Sequence, residues 1–108
     1  DGAVVAPFGV MGGHYQAMGH VELLTGIIDR GLDVQEALDA PRSFAYGGGV
    51  ELEGGFGPGL AEGLAARGHL TIPAPVPIGG GQIIWIDPAT GMRAAGSDPR
   101  KDGLALGY

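Results

Sequence analysis

Cysteine is absent from all 108 residues. That removes disulfides, thiolate metal ligands and cysteine nucleophiles together, and it leaves the redox compartment open. Basic side chains are scarce: six Lys and Arg stand against twelve Asp and Glu, for a formal net charge of −6. Such a surface repels phosphodiesters, so the composition argues against a nucleic-acid partner and equally against an anionic membrane. No apolar run approaches the roughly 18 residues that a membrane span requires, and no signal-peptide pattern opens the sequence. Histidine is limited to three residues; His14 and His20 lie six apart and His69 is distant. Without an i, i+4 pair, zinc-ligand spacing is missing, and neither a metal nor a cofactor is predicted.

Two further motifs are missing. Gly79-Gly80-Gly81 lacks the Lys-Ser/Thr of a phosphate loop and precedes a strand, where a phosphate loop precedes a helix. Ser97 follows Gly96 but is followed by Asp98-Pro99, so no Gly-x-Ser-x-Gly elbow exists, and Ser43 and Thr25 have no evident base.

Glycine is what the chain has in excess, 23 residues of 108. The glycines fall at element ends and follow no collagen period, which signals many tight turns. With 44% hydrophobic residues and a mean hydropathy of +0.18, the length suits one domain and not two. The most informative stretch is Gly9-Val10-Met11-Gly12-Gly13, an apolar run halted by adjacent glycines ahead of an amphipathic helix. Paired glycines there leave two backbone N–H groups bare at a helix entrance, suited to an anion or a developing oxyanion. A plain strand-to-helix turn satisfies the same pattern.

The pattern predicts a strand and paired-glycine turn over 3–14, with Asp1-Gly2 as a hairpin turn whose partner strand lies outside the chain. The chain is thus expected to be a piece of a longer polypeptide. Strand Val4–Val10, lacking a neighbour, should drive the isolated piece to self-associate. Met18, Val21, Leu24 and Ile28 place an apolar face on a helix over about 15–30, with Gly31 at its C′ position. Asp33 caps a helix over about 34–40, with Glu36 in capping-box register. Arg42 then emerges beside carbonyls freed at that helix end.

Val50–Glu53 alternates as a strand, and Pro58 suits the first position of a helix over about 58–66 that buries Leu60 and Leu64. His69–Ile72 reads as a strand, and Pro73, Pro75 and Pro77 keep the link that follows out of any sheet interior. Gln82–Ile86 is apolar on both faces, which predicts a central buried strand, and it opens a hairpin over 82–96. Asp98 and Arg100, in the polar loop Ser97–Gly103, can brace one another or cap nearby backbone. Trp85, Tyr15 and Tyr46 read as core or pocket wall. The order strand, helix, helix, strand, helix, strand, hairpin predicts an α+β arrangement.

Several of these segments also occur in a known order. Gly-Val-Met-Gly-Gly (9–13), Gly-His-Val (19–21), Gly-Leu-Asp-Val-Gln-Glu-Ala-Leu-Asp-Ala-Pro-Arg (31–42), Val-Glu-Leu-Glu (50–53), Ala-Ala-Arg-Gly-His (65–69), Gly-Gly-Gly-Gln (79–82), Gly-Ser-Asp-Pro-Arg-Lys-Asp-Gly (96–103) and Gly107-Tyr108 run through essentially the whole chain. Together they closely resemble the C-terminal part of the gamma-glutamyltranspeptidase family. The resemblance implies a fragment of an N-terminal-nucleophile hydrolase with an αββα layered fold, made when a precursor cleaves itself into large and small subunits. The family's nucleophile is the Thr that begins the small subunit. Here that Thr and most ligands of the substrate carboxylate are expected upstream, the Thr about 80 to 100 residues before Asp1 on the domain-size prior.

Carried over residue by residue, Gly12 and Gly13 match the glycine pair whose N–H groups form the oxyanion hole. Arg42 and Arg100 match Ala-Pro-Arg and Asp-Pro-Arg positions, and with Asp98 they are expected to be structural. Typical transpeptidases have Ser or Thr and then Pro before the glycine pair; Val10-Met11 stand here, a mark of a divergent branch that includes acylases. The implied partners are the large subunit, the remainder of the small subunit and a small-molecule amide substrate, and the isolated chain should be inactive. The resemblance implies an enzyme that hydrolyses or transfers a gamma-glutamyl or similar acyl group through an acyl-enzyme; the alternatives are an amidohydrolase or acylase for another small amide and a non-catalytic structural module.

Overall fold

The computed structural model describes residues 2–108, so the Asp1 half of the expected hairpin turn lies outside the described residues. Its elements are β1 (Phe8–Met11), a 3-10 turn (Gly13–Tyr15), α1 (Gln16–Ile28), α2 (Val34–Asp39), β2 (Ser43–Tyr46), β3 (Gly49–Leu52), α3 (Leu60–Ala65), β4 (Thr71–Pro73), β5 (Gly80–Ile86) and β6 (Arg93–Ser97). The chain is α+β, with two three-stranded sheets. It divides into two compact units, one formed by the chain up to Asp39 with Gly79–Tyr108, the other by Ala40–Ile78.

The first unit is built on the antiparallel sheet β1-β5-β6. β1 begins four residues later than the expected Val4 because Pro7 has no N–H to return to the ladder. The Val5 and Pro7 carbonyls nevertheless accept from the Ile86 and Ile84 N–H groups. β5 is central, yet it is not buried on both faces: Ile83 is 2% exposed and Ile84, on the opposite face, 42%. Alternate side chains point to opposite faces of a strand, and α1 and α2 pack against one face alone.

The apolar face expected of α1 is corrected in the same way. Its buried residues are Gly19, Leu23 and Gly26, following Tyr15, whereas Val21 is 59% exposed and Ile28 66%. Glycines bring the backbones together: a Cβ at Gly19 would stand 2.6 Å from Val10 Cγ1, and one at Gly26 3.3 Å from Ala37 Cβ. α2 carries the reciprocal cap expected of Asp33 and Glu36. The Glu36 and Gln35 N–H groups donate to Asp33 Oδ1, each at 2.8 Å, and the Asp33 N–H donates to Glu36 Oε2 at 2.9 Å.

Gln35 has a second task. Its Nε2 donates to the Ser97 carbonyl at 3.0 Å and its Oε1 accepts from the Ser97 N–H at 3.1 Å. A primary amide thus occupies the place of a strand neighbour on the free edge of β6.

The second unit holds β2-β3-β4, with β2 and β3 antiparallel and β3 and β4 parallel. β2 is an unexpected strand. Tyr46 pairs with Gly49 across Gly47 and Gly48, both at positive φ (61° and 87°), as a two-residue primed hairpin turn demands. α3 also departs from expectation. It starts at Leu60 after Gly59 at φ 89°, two residues beyond Pro58, and buries no residue fully.

Candidate functional site

β1 delivers the chain to Gly12 and Gly13, which form the turn between the sheet and α1. Both are exposed and both have positive φ, 140° and 58°. The Tyr15 N–H donates to the Gly12 carbonyl at 3.1 Å, which closes the 3-10 turn and leaves the N–H groups of the doublet as the orphan donors of a helix entrance. Among the described residues no turn, cap or side-chain bond engages either N–H. A Cβ at Gly13 would meet nothing within 4 Å, so its approach is open. One at Gly12 would lie 3.1 Å from the Gly79 Cα. The positive end of the α1 dipole adds to the attraction for negative charge.

Two supports hold the strand that carries this turn. Val10 and Met11 pair with Gly81 and Gly80, and Asp98 fastens that part of β5. Its Oδ2 accepts from the Gly81 N–H at 2.7 Å, and its Oδ1 accepts from the Arg100 N–H at 2.9 Å and from Arg100 Nη1 at 3.1 Å. Asp98 is 1% exposed; its charge is met by Arg100 and by main-chain donors, the condition under which a buried carboxylate is tolerated. On the other side of β1, the Val10 N–H donates to His20 Nε2 at 3.4 Å while His20 Nδ1 lies 2.5 Å from the Gln16 carbonyl. Those partners place the imidazole proton on Nδ1.

Arg42, Asp98 and Arg100 are thus placed differently. Arg100 and Asp98 are brought together beside β5. Arg100 Nη1 also donates to the Leu38 carbonyl at 2.8 Å, so a last-turn carbonyl of α2 is met by a guanidinium from the loop that follows β6. Arg42 belongs to the second unit, where its Nη1 donates to the Ile78 carbonyl at 2.9 Å. Glu53 completes that arrangement, its two oxygens accepting from the Arg42 N–H at 2.9 Å and the Ile78 N–H at 2.7 Å. A carboxylate and a guanidinium therefore tie the two ends of the Ala40–Ile78 excursion. Sequence reasoning weighed His20 only as a zinc ligand and gave Glu53 and Gln35 no role, because each acts on main-chain groups remote in sequence.

A family model of gamma-glutamyltranspeptidase matches residues 1–108. This chain belongs to that family. Among solved structures, cephalosporin acylase from Bacillus halodurans is 43% identical, with a TM-score of 0.86 over 96% of this chain and 20% of its own. Gamma-glutamyltranspeptidase from Pseudomonas nitroreducens, complexed with L-DON, shares the fold at 21% identity, with a TM-score of 0.88 over 100% of this chain and 57% of its own. A curated relative, the acylase ACY 1 proenzyme of a Pseudomonas species, is 35% identical over 68 residues, 63% of this chain and 12% of that protein. The chain therefore spans only part of each relative. The acylase relatives agree with the reading of Val10-Met11 before the glycine pair, and the solved structures agree with the expected N-terminal-nucleophile hydrolase fold.

Proposed function

We propose that this chain supplies the oxyanion hole of an amide-cleaving acyltransferase or hydrolase whose nucleophile lies in another part of the protein. In the reaction the nucleophile attacks the amide carbonyl, and negative charge gathers on the carbonyl oxygen. The Gly12 and Gly13 N–H groups donate to that oxygen, the amine leaves, and water or a second amine takes the acyl group from the enzyme. The observation that carries this reading is the exposed doublet at positive φ with N–H groups that no other bond engages among the described residues. The acyl group is gamma-glutamyl or a related small acyl. The 43% identity to a cephalosporin acylase, set against 21% to a transpeptidase, favours an acylase acting on another small amide as the second reading. In either case the chain works beside a large subunit and the rest of its own subunit. The outer edge of β1, which has β5 alone as a partner among the described strands, is engaged at Val10 by His20, so a strand from those parts, or from a second copy, would add at its Phe8 end.

The test is Gly13→Asn in the full-length enzyme. Asn tolerates the left-handed backbone better than other side chains, so the fold should persist while the approach to the N–H groups is obstructed. A kcat lower by about 10²-fold or more, with an unchanged circular dichroism spectrum, is expected; undiminished turnover refutes the assignment. Comparing a gamma-glutamyl anilide with a side-chain amide of the cephalosporin type separates the two substrates.

A further inference from the structure

Gly12 adopts φ 140°, a conformation that no side-chain preference selects, so a neighbour must hold it there. We propose that Tyr15 is that neighbour, a positioning residue that sets the Gly12–Gly13 amides and therefore governs turnover. This rests on the oxyanion reading of the doublet and goes beyond it by naming what fixes its geometry.

Tyr15 is 1% exposed, and its ring sits among three glycines from three segments. A Cβ at Gly12 would lie 3.2 Å from Tyr15 Cδ1, one at Gly19 2.6 Å from Cε1, and one at Gly79 2.6 Å from Cδ1 and 2.8 Å from Cε1. The ring fills space that exists only because three side chains are missing. Gly12 and Gly79 are themselves in near contact, with 3.1 Å between a Gly12 Cβ and the Gly79 Cα, and both backbones are intrinsically free to rotate. The rigid body between them is the Tyr15 ring.

Its orientation is fixed at both ends. The Tyr15 N–H donates to the Gly12 carbonyl, and the phenol donates to Glu22 Oε2 at 2.5 Å, two turns further along α1. A shift of the ring would be passed to the Gly12 peptide plane. Displacement of a catalytic donor by about 1 Å can lower a rate by roughly 10²-fold. Because these amides act on the charge of the transition state, the loss should fall on kcat and leave KM nearly untouched.

The experiment uses the full-length enzyme and reads kcat and KM per folded molecule, with melting temperatures alongside. Tyr15→Leu should lower kcat by about tenfold to a hundredfold, with KM within about twofold. Tyr15→Phe keeps the ring and loses only its tether, so its kcat should fall less. Glu22→Leu should match Tyr15→Phe, while Glu22→Gln, whose amide oxygen still accepts from the phenol, should restore wild-type kcat. If Tyr15→Leu does not fold, the Phe and Glu22 variants decide. Variants that melt earlier but turn over at the wild-type rate overturn the proposal. If Gly13→Asn is inactive in that same set, the oxyanion reading stands and the wedge alone fails. If Gly13→Asn is fully active, the oxyanion reading fails and the positioning role goes with it.

Discussion

Gly19→Ala sets two opposed effects against each other, and distances in the structure decide between them. Alanine in a helix interior is favoured over glycine by about 1 kcal/mol through backbone entropy. At Gly19 the added methyl would stand 2.6 Å from Val10 Cγ1 and 2.6 Å from Tyr15 Cε1, where carbon pairs prefer about 3.5–4.0 Å. Each neighbour would have to retreat by about 1 Å. Neither can move into solvent, since Val10 and Tyr15 both belong to the buried core. Overpacking of this kind costs about 1–3 kcal/mol. With two neighbours on different segments the upper part of that range applies, so the net loss is about 1–2 kcal/mol. In a domain of this length that is about 5–10 °C in Tm. Gly63→Ala in α3 is the internal control, because its methyl would meet only the flexible Arg67 Nη1 at 3.4 Å. The same substitution should therefore lower Tm at Gly19 and raise it at Gly63, as read by thermal and urea denaturation. Val10→Ala, which removes Cγ1, should recover part of the Gly19→Ala loss. A Gly19→Ala variant as stable as the parent or more so refutes the close approach of α1 to β1.

Two other perturbations test side chains that hold main-chain groups. Glu53→Gln keeps size and shape but turns an N–H₂ toward a main-chain N–H, since both carboxylate oxygens accept from such donors. A loss of about 1–3 kcal/mol is expected in equilibrium denaturation, and an unchanged stability would contradict the tie at the base of the excursion. In the β5–β6 turn, hydrogen bonds from the Thr90 hydroxyl and then the Ala89 N–H hold the Asp87 carboxyl below its ordinary value of 3.8. A carboxyl lowered in the folded state contributes stability above its unfolded pKa and loses it as pH falls through the folded value. Thr90→Val should raise the Asp87 pKa and flatten that acid-side loss. An NMR titration giving the same Asp87 pKa in both proteins would show that the hydroxyl is not the cause.

What could be read in the sequence was local. The Asp33–Glu36 cap is complete within four residues, the β5–β6 hairpin surrounds one turn, and the glycine doublet announces itself by its own backbone freedom. What could not be read depended on partners far along the chain. Proximity suggested Arg42 for the carbonyls at the end of α2, since it stands three residues beyond Asp39. The donor at Leu38 is Arg100, 62 residues away, and Arg42 reaches as far as Ile78, 36 residues away. A guanidinium at a helix end is easily predicted as a type of interaction; which guanidinium supplies it is settled by the sheet, because the β5–β6 ladder and the Asp98 contact with Gly81 carry Arg100 there.

The error on α1 has a different physical origin. Apolar periodicity assigns the buried face to the side chains with most surface to hide, and on that measure Met18, Val21, Leu24 and Ile28 form the stripe. The helix instead buries Gly19 and Gly26, two positions that contribute no hydrophobic area, on either side of Leu23. Each glycine in a helix interior costs about 1 kcal/mol against alanine, so a helix with two of them on one face is explained only if close backbone approach repays that cost. Gly19 admits Val10 and the Tyr15 ring, and Gly26 admits Ala37. The glycine that weakens α1 as an isolated helix is therefore what lets it seat against the strand leading to Gly12 and Gly13. In a chain this rich in glycine, a glycine one or two turns from a functional turn is better read as a place of contact than as a gap in an apolar stripe.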